Sequence, residues 1–116
     1  MVTDTAFIAS ADAVLVAIGT ALDSALADAD NEADWSLNDG ILEIECADGS
    51  KLIVNRHVPN REIWVAARTG GFHFRANAGR WRDTRSGDEL PAKLAGLLRE
   101  QAELTVDLTG LPGPAE

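Results

Sequence analysis

Between residues 34 and 84 apolar and polar positions alternate in short runs broken by turn residues, a pattern that demands a sheet with two unlike faces. "DWSL" at 34–37 is a short strand candidate, and the "NDG" after it is a hairpin-turn signal. "ILEIEC" at 41–46 sets Leu42, Ile44 and Cys46 on one side and Glu43 and Glu45 on the other. "ADGS" is a second turn. Beyond it "KLIVNRHV" and "EIWVAAR" are joined by "PNR", "TGG" leads into "FHFRA", and "NAG" leads into "RWRDT". Five or six strands at this spacing leave no room for crossover helices, so the sheet is expected to be antiparallel.

Helical periodicity flanks this region. Residues 5–26 predict one long helix, with Phe7, Ala11, Val14, Leu15, Ile18, Leu22, Ala25 and Leu26 as its apolar stripe and Asp4 or Thr5 as its cap. On the opposite face Asp12 and Asp23 point within about 20° of one another, and both are expected to meet solvent. Near the other end Ser86 and Glu89 have the capping-box spacing, ahead of a stripe of Leu90, Leu94, Leu97, Leu98 and Leu104. With Asp88 as N-cap, Pro91 falls in the first turn, where its missing N–H costs little. Helix, strands, helix predicts an α+β two-layer sandwich with both helices on one face of a five- to six-stranded antiparallel sheet. Residues 1–116 are expected to form one domain, with 109–116 as a loose tail.

If the helices cover one face, Trp64 shares the uncovered one with Glu62 and Arg68. Two readings stay open: a half-buried Trp packed on its neighbours, or an anchor for a partner, since Trp and Arg are typical interface hot spots. Arg56 and Arg68 nearby would suit an acidic or polar partner.

Charge is distributed unevenly. Residues 1–50 hold 11 acids and no Lys or Arg, whereas residues 51–85 hold eight bases and only two acids. A base-free segment of that length repels itself, so it is either a solvated surface or one that meets cations or a basic partner. "ADADNEAD" at 27–34 concentrates the effect. It begins like a calcium-binding loop, but Ala33 stands where Gly is required and Asp39 where a bidentate Glu is expected. Its alternating carboxylates are expected to face opposite ways and not to converge on one ion, leaving weak, multi-site binding of oxygen-preferring ions, including iron.

Other chemistry is not signalled. His57 and His73 fall on different strands without metal spacing and are expected to be ordinary surface residues. Cys46, the only cysteine, is on the predicted inward face and reads as an inert core thiol. "TGG" precedes a strand, not a helix, so it is no phosphate loop. A net charge of −9 on an antiparallel fold argues against nucleic acid. No run approaches the roughly 18 apolar residues of a membrane span. "MVTDTAF" lacks the basic region of a secretory signal, and a single cysteine allows no internal disulfide, so a cytoplasmic setting is expected.

The stretch "DGSKLIVNRHVPNREIWVAARTGGFHF" gathers Gly49, the "NRxxP" of Asn55 to Pro59, Ile63–Trp64 and the "GGFHF" of Gly70 to Phe74, with Trp81 following before Ser86–Gly87. In these residues the chain resembles frataxin, particularly the bacterial form, over Phe7 to about Leu108. The resemblance implies a role in iron–sulfur cluster assembly, as an iron-binding protein and regulator of the cysteine desulfurase. It implies an acidic ridge that binds iron weakly and docks the basic surface of the desulfurase–scaffold complex. By position that ridge is Asp23, Asp28, Asp30, Glu32 and Asp34, with Asp12 joined to it by the helical-face argument. The sheet surface of Asn55, Arg56 and Trp64, with Arg68 beside it, corresponds to the family's second contact surface. A monomer is expected, with metal-dependent oligomers left open.

The chain also departs from the family. Bacterial frataxins often carry adjacent acids in the middle of the ridge helix, where this chain has Gly19 and Thr20. His57 stands where Gln is usual. Two alternatives remain beside the regulator: a ferroxidase, which would need converging ligands that the sequence does not display, and an acidic interaction module with no metal role.

Overall fold

The computed structural model describes residues 3–115. Helix α1 spans Asp4–Asp28, slightly longer at both ends than its apolar stripe predicts. Its N-cap is Thr3, not Asp4 or Thr5: the Thr3 Oγ1 accepts the Ala6 N–H at 3.0 Å. Asp4 then becomes the first helical residue, where an acid complements the helix dipole. Phe7, Ala11, Val14, Leu15, Ile18 and Leu22 are buried as expected, and Ala25 and Leu26 are partly buried.

By length and composition this helix is apolar enough to cross a membrane. Counting uninterrupted apolar runs misses it, because isolated polar residues break the run without lowering the average much. In the fold its apolar stripe packs on the sheet.

Six strands follow: β1 Asp34–Asn38, β2 Ile41–Glu45, β3 Lys51–His57, β4 Glu62–Ala67, β5 Gly70–Asn77 and β6 Arg80–Asp83. They form one antiparallel sheet in sequence order, as short turns require. The register aligns Leu37, Leu42, Val54, Val65 and Phe72 in one row beneath the helices. The outer face includes the rows Ile41–Asn55–Trp64–His73 and His57–Glu62–Arg75–Arg82. Helix α1 lies over β1–β3. Helix α2, Leu90–Leu97, adjoins β6.

The start of α2 differs from the expected cap. Glu89 is the N-cap and makes no side-chain cap bond. The capping box does not form, because Ser86 Oγ turns to the Asp88 N–H at 3.2 Å and Glu89 reaches Arg80 at 3.4 Å. Pro91 does sit in the first turn. At its far end α2 widens into a π-helical turn, Leu98–Ala102, closed by Glu103 in the left-handed conformation. Leu104 therefore lies beyond the helix and opens an extended segment in which Leu104, Val106 and Leu108 are buried. The expected tail, 109–116, is described as far as 115. It is mostly exposed, but Leu111 packs on the core and the Ala115 N–H donates to Ser10 Oγ at 2.9 Å.

The β1–β2 turn combines two constraints. Asp39 (φ 50) and Gly40 (φ 76) both take left-handed conformations, the geometry of a two-residue hairpin turn. Gly40 is also buried under Arg56, whose Nε would lie 2.6 Å from an added Cβ. Gly40→Ala is expected to destabilise the protein by about 1–3 kcal/mol. The urea midpoint checks this, with a lowered midpoint at an unchanged slope as the predicted result.

Candidate functional site

The acidic surface begins at the end of α1. Asp28 is the last helical residue, and Asp30 and Glu32 follow on an extended segment leading to Asp34 at the start of β1. The expectation that these alternating acids face opposite ways is wrong. Asp30, Glu32 and Asp34 are exposed while Asn31, Ala33 and Trp35 turn inward, as a period of two requires. Asn31 fixes the segment: its amide donates to Ala102 O at 2.9 Å and its Oδ1 accepts the Ala33 N–H at 2.8 Å. Asp28, Asp30 and Glu32 are all exposed, and none of their side chains makes a hydrogen bond or ion pair among the described residues.

Asp12 and Asp23 do not simply face solvent. Asp12 receives Arg56 Nη1 at 2.6 Å, and Asp23 Oδ1 accepts the Trp35 indole N–H at 2.8 Å. Between them Gly19 is buried, and an added Cβ would lie 2.6 Å from the Trp35 ring. The face of Asp12, Gly19 and Asp23 therefore leans on the edge of the sheet. Where the resemblance suggests a thinned ridge, the missing side chain admits Trp35 against the helix.

Arg56 is a strut more than a free contact. Its side chain is only 21% exposed, held by Asp12 and by Asp39 at 3.5 Å. Arg68 pairs with Asp48 and donates to Ser50 Oγ at 2.9 Å. The hydrogen bonds from the Ser50 hydroxyl and backbone N–H, then the Arg68 charge, hold the Asp48 carboxyl below its ordinary range.

The outer sheet face carries a cluster that sequence reasoning did not find. Trp64 lies parallel to two imidazoles: His57 at 3.6 Å between ring centroids and 9° between planes, and His73 at 4.3 Å and 7°. Glu62 lies at their base, its side chain only 3% exposed although it faces away from the helices. Glu62 Oε1 accepts the Trp64 indole N–H at 2.8 Å, and Oε2 accepts Arg75 Nη2 at 2.6 Å. His73 Nδ1 stands 3.7 Å from Oε1. Burial alone would raise the Glu62 carboxyl. The Trp64 and Arg75 hydrogen bonds, with the charges of Arg75 and His73, outweigh burial and hold it below the usual range. One signal was available: pairing across "PNR" and "TGG" places His73 directly opposite Trp64 and His57 two residues beyond Asn55, the partner of Trp64 on β3.

Carboxylate oxygens are donors for hard cations, but among the described residues no three of His, Cys, Asp and Glu converge on a point that could hold a metal ion. What the arrangement offers is a diffuse negative surface beside α1 and a preformed aromatic and basic surface on β3–β6.

Comparison with known proteins agrees with this architecture. The sequence model of the frataxin-like domain matches residues 1–104. The iron–sulfur cluster assembly protein CyaY of Ralstonia nicotianae is 44% identical over 106 residues, covering 91% of this chain and 94% of that protein. The protein of the same name from Cupriavidus pinatubonensis is 45% identical over 102 residues, covering 88% and 92%. Among solved structures, frataxin from Psychromonas ingrahamii superposes with a TM-score of 0.82 at 34% identity, over 92% of this chain and 98% of that one. A trimeric frataxin from the yeast Saccharomyces cerevisiae, in a ferrous complex, gives 0.70 at 25% identity, over 81% and 86%.

Two outcomes follow from this geometry. Gly19→Ala would ordinarily stabilise a helix by about 0.5–1 kcal/mol, but here it is expected to destabilise by about 1–3 kcal/mol by displacing Trp35. In a Trp35→Ala background the sign should reverse. Unfolding of the two single variants and the double variant measures the coupling, and strictly additive effects would contradict the contact. Glu62, with its folded pKa depressed, contributes stability above its unfolded value near 4.5 that is lost as pH falls through the folded value. Glu62→Gln should therefore flatten the wild-type loss of stability below about pH 5, read from urea midpoints across pH.

Proposed function

This chain belongs to the frataxin family, and on that premise we propose that it acts in iron–sulfur cluster assembly as a cytoplasmic iron-binding regulator. In this reading it docks through its acidic ridge on a cysteine desulfurase–scaffold complex. Relatives at 44% and 45% identity carry the name of iron–sulfur cluster assembly proteins, which supports the general role. The yeast frataxin in a ferrous complex supports iron as the cargo.

The observation that carries the finer reading is the placement of Asp28. It ends α1 at the negative pole of the helix dipole, with no basic residue in the last turn. Asp30 and Glu32 crowd the same end without a counterion among the described residues. A negative charge there costs the free protein about 0.3–1 kcal/mol. Such a placement favours a bound cation or a basic partner that neutralises it. Because no three acids converge, iron would be held weakly and at more than one place, through carboxylate oxygens. Asn55 and Trp64, on the outer sheet face, form the second surface turned toward the same complex.

Asp28→Asn should stabilise the free protein by about 0.3–1 kcal/mol. Combined with Asp30→Asn, it should weaken binding to the desulfurase–scaffold complex several-fold, and wild-type affinity should fall as salt rises. Surface plasmon resonance across ionic strength measures both effects. Binding that ignores salt and both substitutions would overturn the electrostatic docking.

A further inference from the structure

We propose that His57 and His73 are positioning residues for Trp64, clamping its indole so that the outer sheet face meets its partner already ordered. This rests on the reading of that face as a contact surface for the desulfurase–scaffold complex.

Trp64 lies on β4, His57 on β3 and His73 on β5, so the two imidazoles approach from opposite sides. Their planes lie within 9° and 7° of the indole plane, and both indole faces are therefore covered. The remaining freedom is removed at the rim, where the indole N–H is bonded to Glu62. Glu62 is in turn held by Arg75, so the anchor beneath the ring is itself fixed. His57 contributes through stacking alone, because its buried Nδ1 has no hydrogen-bond partner among the described residues.

The consequence concerns what a partner can touch. An isolated Trp on an open sheet offers its ring faces and must lose rotamer freedom on binding. Here the faces are occupied, so Trp64 presents its outer rim, flanked by the outer faces of His57 and His73. Ile41, 46% exposed, continues the same row beyond Asn55. The row is a ridge whose shape is set before the partner arrives. A preformed surface of this kind acts mainly on dissociation, since ordering has already occurred.

The test uses the full chain and the assembled desulfurase–scaffold complex. His57→Ala and His73→Ala are expected each to speed dissociation about 3- to 10-fold with association nearly unchanged. In the free protein each should shift and broaden the Trp64 indole N–H resonance. His57→Phe retains a flat ring without the imidazole nitrogens and should restore both the resonance and the wild-type dissociation rate. An unmoved indole resonance in both alanine variants overturns the clamp. So does a His57→Phe protein that is folded yet still dissociates quickly. If Trp64→Ala speeds dissociation and the histidine variants do not, the clamp fails while the contact surface stands. If Trp64→Ala has no effect, the sheet face is not a contact surface, and the proposal falls together with that part of the functional reading.

Discussion

Helix α1 presses Phe7, Val14, Leu15, Ile18 and Leu22 onto the inner face of the sheet, and that contact fixes where every other surface feature can be. Burying a large apolar side chain contributes about 1.5–3 kcal/mol, so five of them on one helix outweigh any local preference nearby. The helix lies over β1–β3, and its flank comes down on the β1 edge and the β1–β2 turn. Asp12, Gly19 and Asp23 are drawn into the joint through Arg56 and Trp35. The same contact leaves the far face of the sheet uncovered, and Trp64, His57 and His73 stand there.

The two charged regions follow from chain order more than from packing. Acids fill the first fifty residues and bases fill the strands after them, and ion pairs such as Asp12–Arg56, Asp4–Arg61 and Asp48–Arg68 join the two where they meet. The acidic side is left uncompensated where it is least comfortable, at the end of α1. The basic side is partly neutralised: Glu62, from its own strands, takes Arg75, and Asp48, from the acidic half, takes Arg68. Asp28, Asp30 and Glu32, crowded at one end of α1 without an ion pair among the described residues, are charges available for long-range attraction.

Glu62 shows how an outward-facing position can become a buried one. A carboxylate on an open sheet face would normally be solvated. Here the indole of Trp64 and its two imidazole neighbours roof it, and Arg75 completes its hydrogen bonding. A buried carboxylate left without those donors would be strongly destabilising. The cluster is thus bound together as a unit, with the aromatic stack protecting the ion pair and the ion pair orienting the indole.

Much of this was legible in the residues. Period-two runs and turn signals gave five or six antiparallel strands, and the structure has six in sequence order, because neighbouring strands joined by short turns can only pair antiparallel. The helical stripes identified the core, and the base-free first half identified the acidic surface. Cap assignments at Thr3 and Glu89 shifted, because a hydroxyl or carboxylate chooses among nearby donors by distances that spacing alone does not fix. Gly19 read as a weakness in the ridge, and only the approach of Trp35 from β1 makes it a socket. His57 and His73 read as unrelated surface histidines, since they are separated by 16 positions in sequence and become neighbours of one ring through two successive hairpins. The sequence by itself determined which residues belong to each face, since periodicity is a local property of the backbone. The tertiary structure alone decided which of them touch, because contacts between Trp35 and Gly19, or Trp64 and two histidines, depend on register and helix placement that arise only when the apolar face is buried.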